Sequence, residues 1–288
     1  MKKLSVIVGV SIIFILAGIS CKQVVKQENQ KNESDSLSIV SLTPSITKQL
    51  LLLNVEDNIV GHTSYCPSDN LENSSMVASA TEVNVEKIAT LEPDIVLVST
   101  LTKEKVIINL RKLGVKVEYL DMPESFDEIC NQMITIGKMV NNEEKAVEIV
   151  EEQKERLDSI QNKIPEEEKQ SFFIEIGANP LHAATSESFM HDYIRFANGE
   201  NIAEDLSSGT ISRESVIAKD PDVIVIVTMG MVGKEEKDIW EEYQNLSATK
   251  KGQIFIIESD KASSPTPVSF VDVTEEIINL VYYQKSDN

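Results

Sequence analysis

From Leu37 to Tyr283 short apolar runs alternate with amphipathic stretches, the pattern of parallel strands covered by helices. LSIVSL (37–42) predicts a strand ending at Thr43-Pro44-Ser45, and Thr43 or Ser45 can cap the helix ITKQLLLLN that follows. NIVGHT (58–63) predicts a second strand. NVEKIATLEPDIVLVST predicts a helix over 84–91, a break at Pro93 and a buried strand over 94–99. KEKVIINLRKLGVKVEYLD repeats that unit, with a helix stopping at Gly114 and a strand over 115–120. FDEICNQMITIGKMV adds a last helix.

Residues 142–163 contain no Gly or Pro, and Ala146, Ile149, Val150, Leu157 and Ile160 keep helical spacing, so they predict one long amphipathic helix. The alternation then restarts: strand 171–177, helix 187–197 with a stop at Gly199, helix 212–218, a strand within 218–228, a helix around Trp240, strand 253–258 and helix 268–283. ESVIAKDPDVIVIVT in the second half echoes EKIATLEPDIVLVST in the first. An internal repeat around one long helix predicts an α/β protein of two similar lobes, each built on a parallel sheet. The boundaries fall at 37–140 for the first lobe, 141–168 for the joining helix and 169–288 for the second lobe. Ligands of open α/β sheets sit beyond the strand carboxyl ends, which makes the cleft between the lobes the expected site.

The N-terminus changes the setting. Lys2 and Lys3, an apolar run from Leu4 to Ile19 and the small residues Ala17, Gly18 and Ser20 read as a secretory signal over residues 1–20. The run is shorter than the ~20 residues of a comfortable membrane span. Cys21 directly after it resembles the lipidated cysteine of bacterial lipoproteins. Residues 21–36 are polar and read as a tether from that anchor, so the globular part is expected to face the periplasm or the cell exterior. The formal charge is −20 over 288 residues, and loss of residues 1–20, with two lysines and no acid, makes it −22. That charge excludes nucleic acid as a partner and opposes adsorption to anionic lipid.

Enzymatic motifs are absent: no G-x-S-x-G elbow, no P-loop and no H-E-x-x-H. Tyr65 and Cys66 follow a first-lobe strand and His182 follows the first strand of the second lobe, so both segments are placed to face the cleft. Tyr and His both ligate haem iron, so a metal or haem iron held between Tyr65 and His182 is one reading, with the two as metal ligands only if the ligand is haem; the alternative is a packing tyrosine and an ordinary loop histidine. Of the three cysteines, Cys66 and Cys130 remain as one possible pair, which sequence leaves open.

SIVSLTPSITKQLLLLNVEDNIVGHTSYCP, NVEKIATLEPDIVLV, EIGANPLHAATSESFMHDYIRFANGENIAED and ISRESVIAKDPDVIVIV resemble the substrate-binding proteins of bacterial importers for cobalamin, haem and ferric siderophores. The resemblance implies two Rossmann-like lobes and a monomeric binding protein without cofactor or catalysis. Such a protein delivers a metal chelate, a corrinoid first and haem or a ferric siderophore next, to an ABC permease dimer. It also implies residue roles. Glu86 and Glu214, one per lobe, match the glutamates that dock on permease arginines. Pro44, Ser45 and Tyr65 match the first-lobe pocket, to which Cys66 and His182 are added by position. Asp260 is kept where Ala262 replaces an arginine. Where cobalamin binders place tryptophans, this chain has Ala80, Ser99 and Ser208. The competing classes are a chelatase-like enzyme and a surface lipoprotein without a permease.

Overall fold

The structure, a computed structural model, describes residues 37–283 except residues 68, 70, 80, 81, 166–168 and 228–231. The signal segment, Cys21, the tether and Ala80 lie outside the described residues. Among the described residues no helix is long and apolar enough to cross a membrane.

The first lobe runs β1 (Ile39–Ser41), α1 (Pro44–Leu52), β2 (Ile59–Thr63), β3 (Ser75–Ala78), α2 (Val85–Thr90), β4 (Ile95–Val98), α3 (Glu104–Lys112), β5 (Val117–Tyr119) and α4 (Phe126–Met139). Its five strands are all parallel in the order β3-β2-β1-β4-β5. β1 and β4 are buried along their whole length, which accounts for their unbroken apolar sequence. Helix starts follow local chemistry. Pro44 occupies the first turn of α1, Asn84 accepts the Lys87 N–H at 2.8 Å, and Ser125 accepts that of Glu128 at 3.2 Å. The Thr43 hydroxyl sits at the α1 N-cap without capping it and donates instead to Ser99 Oγ at 2.9 Å. Gly114, at φ +81°, supplies the left-handed residue that ends α3.

α5 (Glu143–Gln161) joins the lobes, and the five apolar positions that predicted it are all buried. The second lobe runs β6 (Gln170–Ala178), β7 (Leu181–Ala183), α6 (Met190–Phe196), β8 (Gly199–Asn201), α7 (Arg213–Lys219), β9 (Val223–Ile226), α8 (Val232–Glu241), α9 (Ser247–Lys251), β10 (Ile254–Ile256), α10 (Ser259–Ser263) and α11 (Pro267–Ile278), closing on a π-helical turn (Asn279–Tyr283). β10, β9 and β6 are parallel; β8 lies parallel beside the start of β6 and β7 antiparallel beside its end. The sheet is therefore mixed at one edge, where the sequence predicts only parallel strands. Gly199 is also not the stop of α6. Asn198, at φ 55°, takes the left-handed position, and Gly199 opens β8, where a Cβ would fall 2.4 Å from the Phe172 ring.

The repeat is visible in one device. Asp94 Oδ2 accepts from Ser38 N and Oγ, both at 2.7 Å, and Ser38 Oγ accepts from Asp94 N at 3.0 Å. Asp222 repeats these bonds on Ser171 at 2.9, 2.8 and 3.0 Å. Each clamp fastens the first strand of its lobe to the neighbour that follows a Pro-Asp pair. The lobes share a core: Phe270 of α11 stacks on Phe126 of α4 (4.7 Å between centroids) and on Tyr193 of α6 (4.6 Å). Asp192 of α6 accepts the Phe126 N–H at 2.8 Å, so an anionic side chain of one lobe caps a helix of the other.

Candidate functional site

Because β2, β1 and β4 are parallel neighbours, the residues after their carboxyl ends converge. Tyr65 follows β2, Pro44 follows β1, and Leu101 and Lys103 follow β4; together with Glu82 and Val83 they line a pocket of about 350 Å³. Its walls are mainly apolar, with Lys103 and Glu82 the charged groups. Tyr65 is 54% exposed and Leu101 69% exposed, a pair of large apolar surfaces offered outward from strand ends. Two such residues at the mouth of one pocket are what a flat, partly apolar ligand packs against.

The remaining expected pocket residues are placed differently. Ser45 is buried in the first turn of α1 and Cys66 is buried with Sγ 3.0 Å from Thr47 Oγ1 and 3.3 Å from Thr63 Oγ1; neither lines the pocket. Cys66 and Cys130 are both free thiols, and burial raises the Cys130 pKa to about 12, so it stays protonated. His182 lies on β7, opposite Gly177 of β6, half-buried and outside this pocket. Asp260, at the start of α10, reaches across to Lys48 of α1. Sequence reasoning missed Leu101 and Lys103, although their position after the strand IVLV carried the signal.

A larger hollow of about 570 Å³ lies against α5 and α11, away from the strand ends. Its charged walls already pair with one another: Arg156 with Asp272 at 2.6 Å and with Glu275 at 2.5 Å, Lys261 with Glu276 at 3.0 Å.

Glu86 and Glu214 each follow the residue that opens their helix, α2 and α7, behind the N-caps Asn84 and Ser212. Both are exposed carboxylates where the helix dipole favours negative charge. Glu214 is held below the usual carboxylate range by its own main-chain N–H, then by the Ser212 hydroxyl, with Arg213 adding attraction. Beside Glu86 a shallow groove of about 620 Å³ runs between β3 and α2, with exposed Met76 on its wall.

Against known proteins, residues 39–261 match a family model described as periplasmic binding protein. The chain is 28% identical over 254 residues to the uncharacterised ABC transporter substrate-binding lipoprotein YvrC of Bacillus subtilis, covering 85% of this chain and 79% of that one. It is 25% identical over 200 residues to a cobalamin-binding protein of Halobacterium salinarum; the match covers 67% of this chain and spans about half (54%) of that relative. Among solved structures, a possible iron-binding (periplasmic solute-binding) protein from Staphylococcus epidermidis superposes with a TM-score of 0.76 at 26% identity, covering 86% of this chain and 98% of that one.

Proposed function

This chain belongs to the periplasmic binding protein family, and we propose that it is the extracytoplasmic solute-binding component of an ABC importer for a metal chelate. It captures the chelate, hands it to a permease dimer and catalyses nothing. The observation that carries this reading is the joint placement of Tyr65, Leu101 and Pro44 around one first-lobe pocket at the strand carboxyl ends. The repeat-related carboxylates Glu86 and Glu214 support delivery, since a two-fold permease needs matching anionic contacts on the two lobes.

A corrinoid is the first reading of the cargo, supported by the cobalamin-binding relative. An iron chelate, as haem or a ferric siderophore, is the second, supported by the structural neighbour named as possibly iron-binding and by the outward phenol of Tyr65. Cys21 is the lipid attachment point, in keeping with a relative named as a lipoprotein. Absorbance spectra of the purified protein after exposure to cyanocobalamin, haemin and a ferric hydroxamate in turn test it. Stoichiometric retention of one chromophore is expected, and retention of none of the three overturns the reading.

A further inference from the structure

The clamp serines Ser38 and Ser171 set the two lobes in register, and that register exposes a difference between them. The fourth residue beyond each clamp serine is Leu42 in the first lobe and Glu175 in the second. The first residue of the helix bearing the exposed glutamate is Val85 in one and Arg213 in the other. An apolar layer in the first lobe is thus replaced in the second by a buried charged group. Glu175 is wholly buried, and Glu236 of α8 is 5% exposed. Arg213 donates to Glu236 Oε2 at 2.6 Å and lies 4.3 Å over the ring of Trp240, whose Nε1–H donates to Glu175 Oε2 at 2.7 Å.

Two buried carboxyls therefore face one guanidinium whose side chain is about one-fifth exposed. Buried ion clusters of this kind are poor sources of net stability, because desolvation offsets their attraction. Two of its atoms are moreover buried without a hydrogen-bond partner, Glu175 Oε1 and Arg213 Nη1. They carry opposite charge, and Arg213 is the residue next to Glu214.

We propose that Glu175, Glu236 and Arg213 form a proton-responsive mount for α7, which presents Glu214 in one way when the two carboxyls share a proton and in another when they hold none. With a shared proton, one carboxylate balances the guanidinium. Without it, the cluster carries an uncompensated buried negative charge. The cheapest relief is for Arg213 Nη1 to turn to Glu175 Oε1, drawing the first turn of α7 inward. The charged groups facing Glu175 are Glu236 from α8 and Arg213 from α7; its strand neighbours β9 and β7 place Ile226 and Ala183 beside it. Burial, opposed by the Trp240 hydrogen bond and reinforced by Glu236, moves Glu175 up to about 7, within reach of an extracytoplasmic environment.

The consequence for docking rests on the reading of Glu214 given above, but the experiment reads α7 itself and needs no permease, so the two can fail separately. Trp240 is the chain's single tryptophan. Its emission, followed from pH 5.5 to 8.5 in the full-length protein, is expected to change with one midpoint near neutrality. In the same range, amide hydrogen exchange over Arg213–Ile217 should change several-fold while that over Val85–Ala89 stays level once corrected for the intrinsic pH dependence of exchange. Glu175→Gln should flatten both responses, and Glu236→Gln provides a second variant should the first fail to fold. A flat wild-type emission curve, a curve that persists in both variants, or an emission change without any change in α7 exchange would each overturn the proposal.

Discussion

Lys48 Nζ lies 2.9 Å from Asp260 Oδ2 and 2.7 Å from the Asp260 main-chain oxygen, tying α1 of the first lobe to α10 of the second. The Lys48 side chain is mostly buried and that of Asp260 mostly exposed, so the pair is half-screened and its worth is set by geometry rather than by raw Coulomb attraction. Asp260→Asn and Lys48→Met should each lower stability by less than about 1 kcal/mol in denaturant titrations. If Asp260 serves the cleft through Lys48, the double variant changes ligand affinity no more than either single one. Additive losses would show that Asp260 meets the ligand by itself.

Phe270 is fully buried between Phe126, Tyr193 and Phe196, three rings drawn from both lobes. Phe270→Ala removes the centre of that cluster and should cost about 3–5 kcal/mol, a large fraction of a typical domain's stability. Chemical denaturation should show the two lobes unfolding in one transition, because this core belongs to both. Two separate transitions in the wild type would contradict a shared core.

Glu175 sets a pH dependence whose sign is opposite to that of ordinary surface carboxylates. Its folded-state pKa, about 7, lies above the unfolded value near 4.5. The folded state therefore binds more protons than the unfolded one between these values, and stability falls as pH rises through that window, by on the order of 3 kcal/mol at most. Asp94 and Asp222 act the other way. Asp94 is lowered by its Ser38 bonds; for Asp222 burial pulls upward but Lys251 and Ser171 outweigh it, so both clamps lose stabilisation only as pH falls below the usual carboxylate range. Melting temperatures from pH 5 to 8 should fall in the wild type and fall less in Glu175→Gln. Parallel curves would remove Glu175 as the source.

Glu86→Ala with Glu214→Ala should cut uptake of the chelate by intact cells at least tenfold while leaving ligand affinity within about twofold, since exposed interface charges govern encounter and register. Equal losses in both measurements would place these carboxylates in the ligand site.

Much of this fold is legible in the sequence because its central strands are buried on both faces and its helices carry periodic apolar stripes. IVLV and VIVI after Pro-Asp read as central strands, and Ala146 to Ile160 read as a helix, for that reason. β7 and β8 do not, because each is three residues long and sits at a mixed edge, where pairing with β6 rather than apolar pattern defines the strand. At the pocket, Tyr65 is found by its place after a strand, and Pro44 by the family resemblance alone. The Glu175–Arg213–Glu236–Trp240 cluster is not, because its members are scattered over 65 residues and each alone resembles a surface charge or a core aromatic.

Titration of a chromophoric chelate into wild type, Tyr65→Phe, Tyr65→Ala and Leu101→Ala tests whether the ligand sits in the pocket around Tyr65. With a corrinoid, Tyr65→Phe should bind as wild type, and Tyr65→Ala should lose about 1 kcal/mol, roughly fivefold in Kd, with a loss for Leu101→Ala as well. With haemin, Tyr65→Phe should itself shift the Soret band. Binding to all four proteins with the same affinity and the same spectrum, for every chelate that the wild type retains, would contradict the assignment of the site.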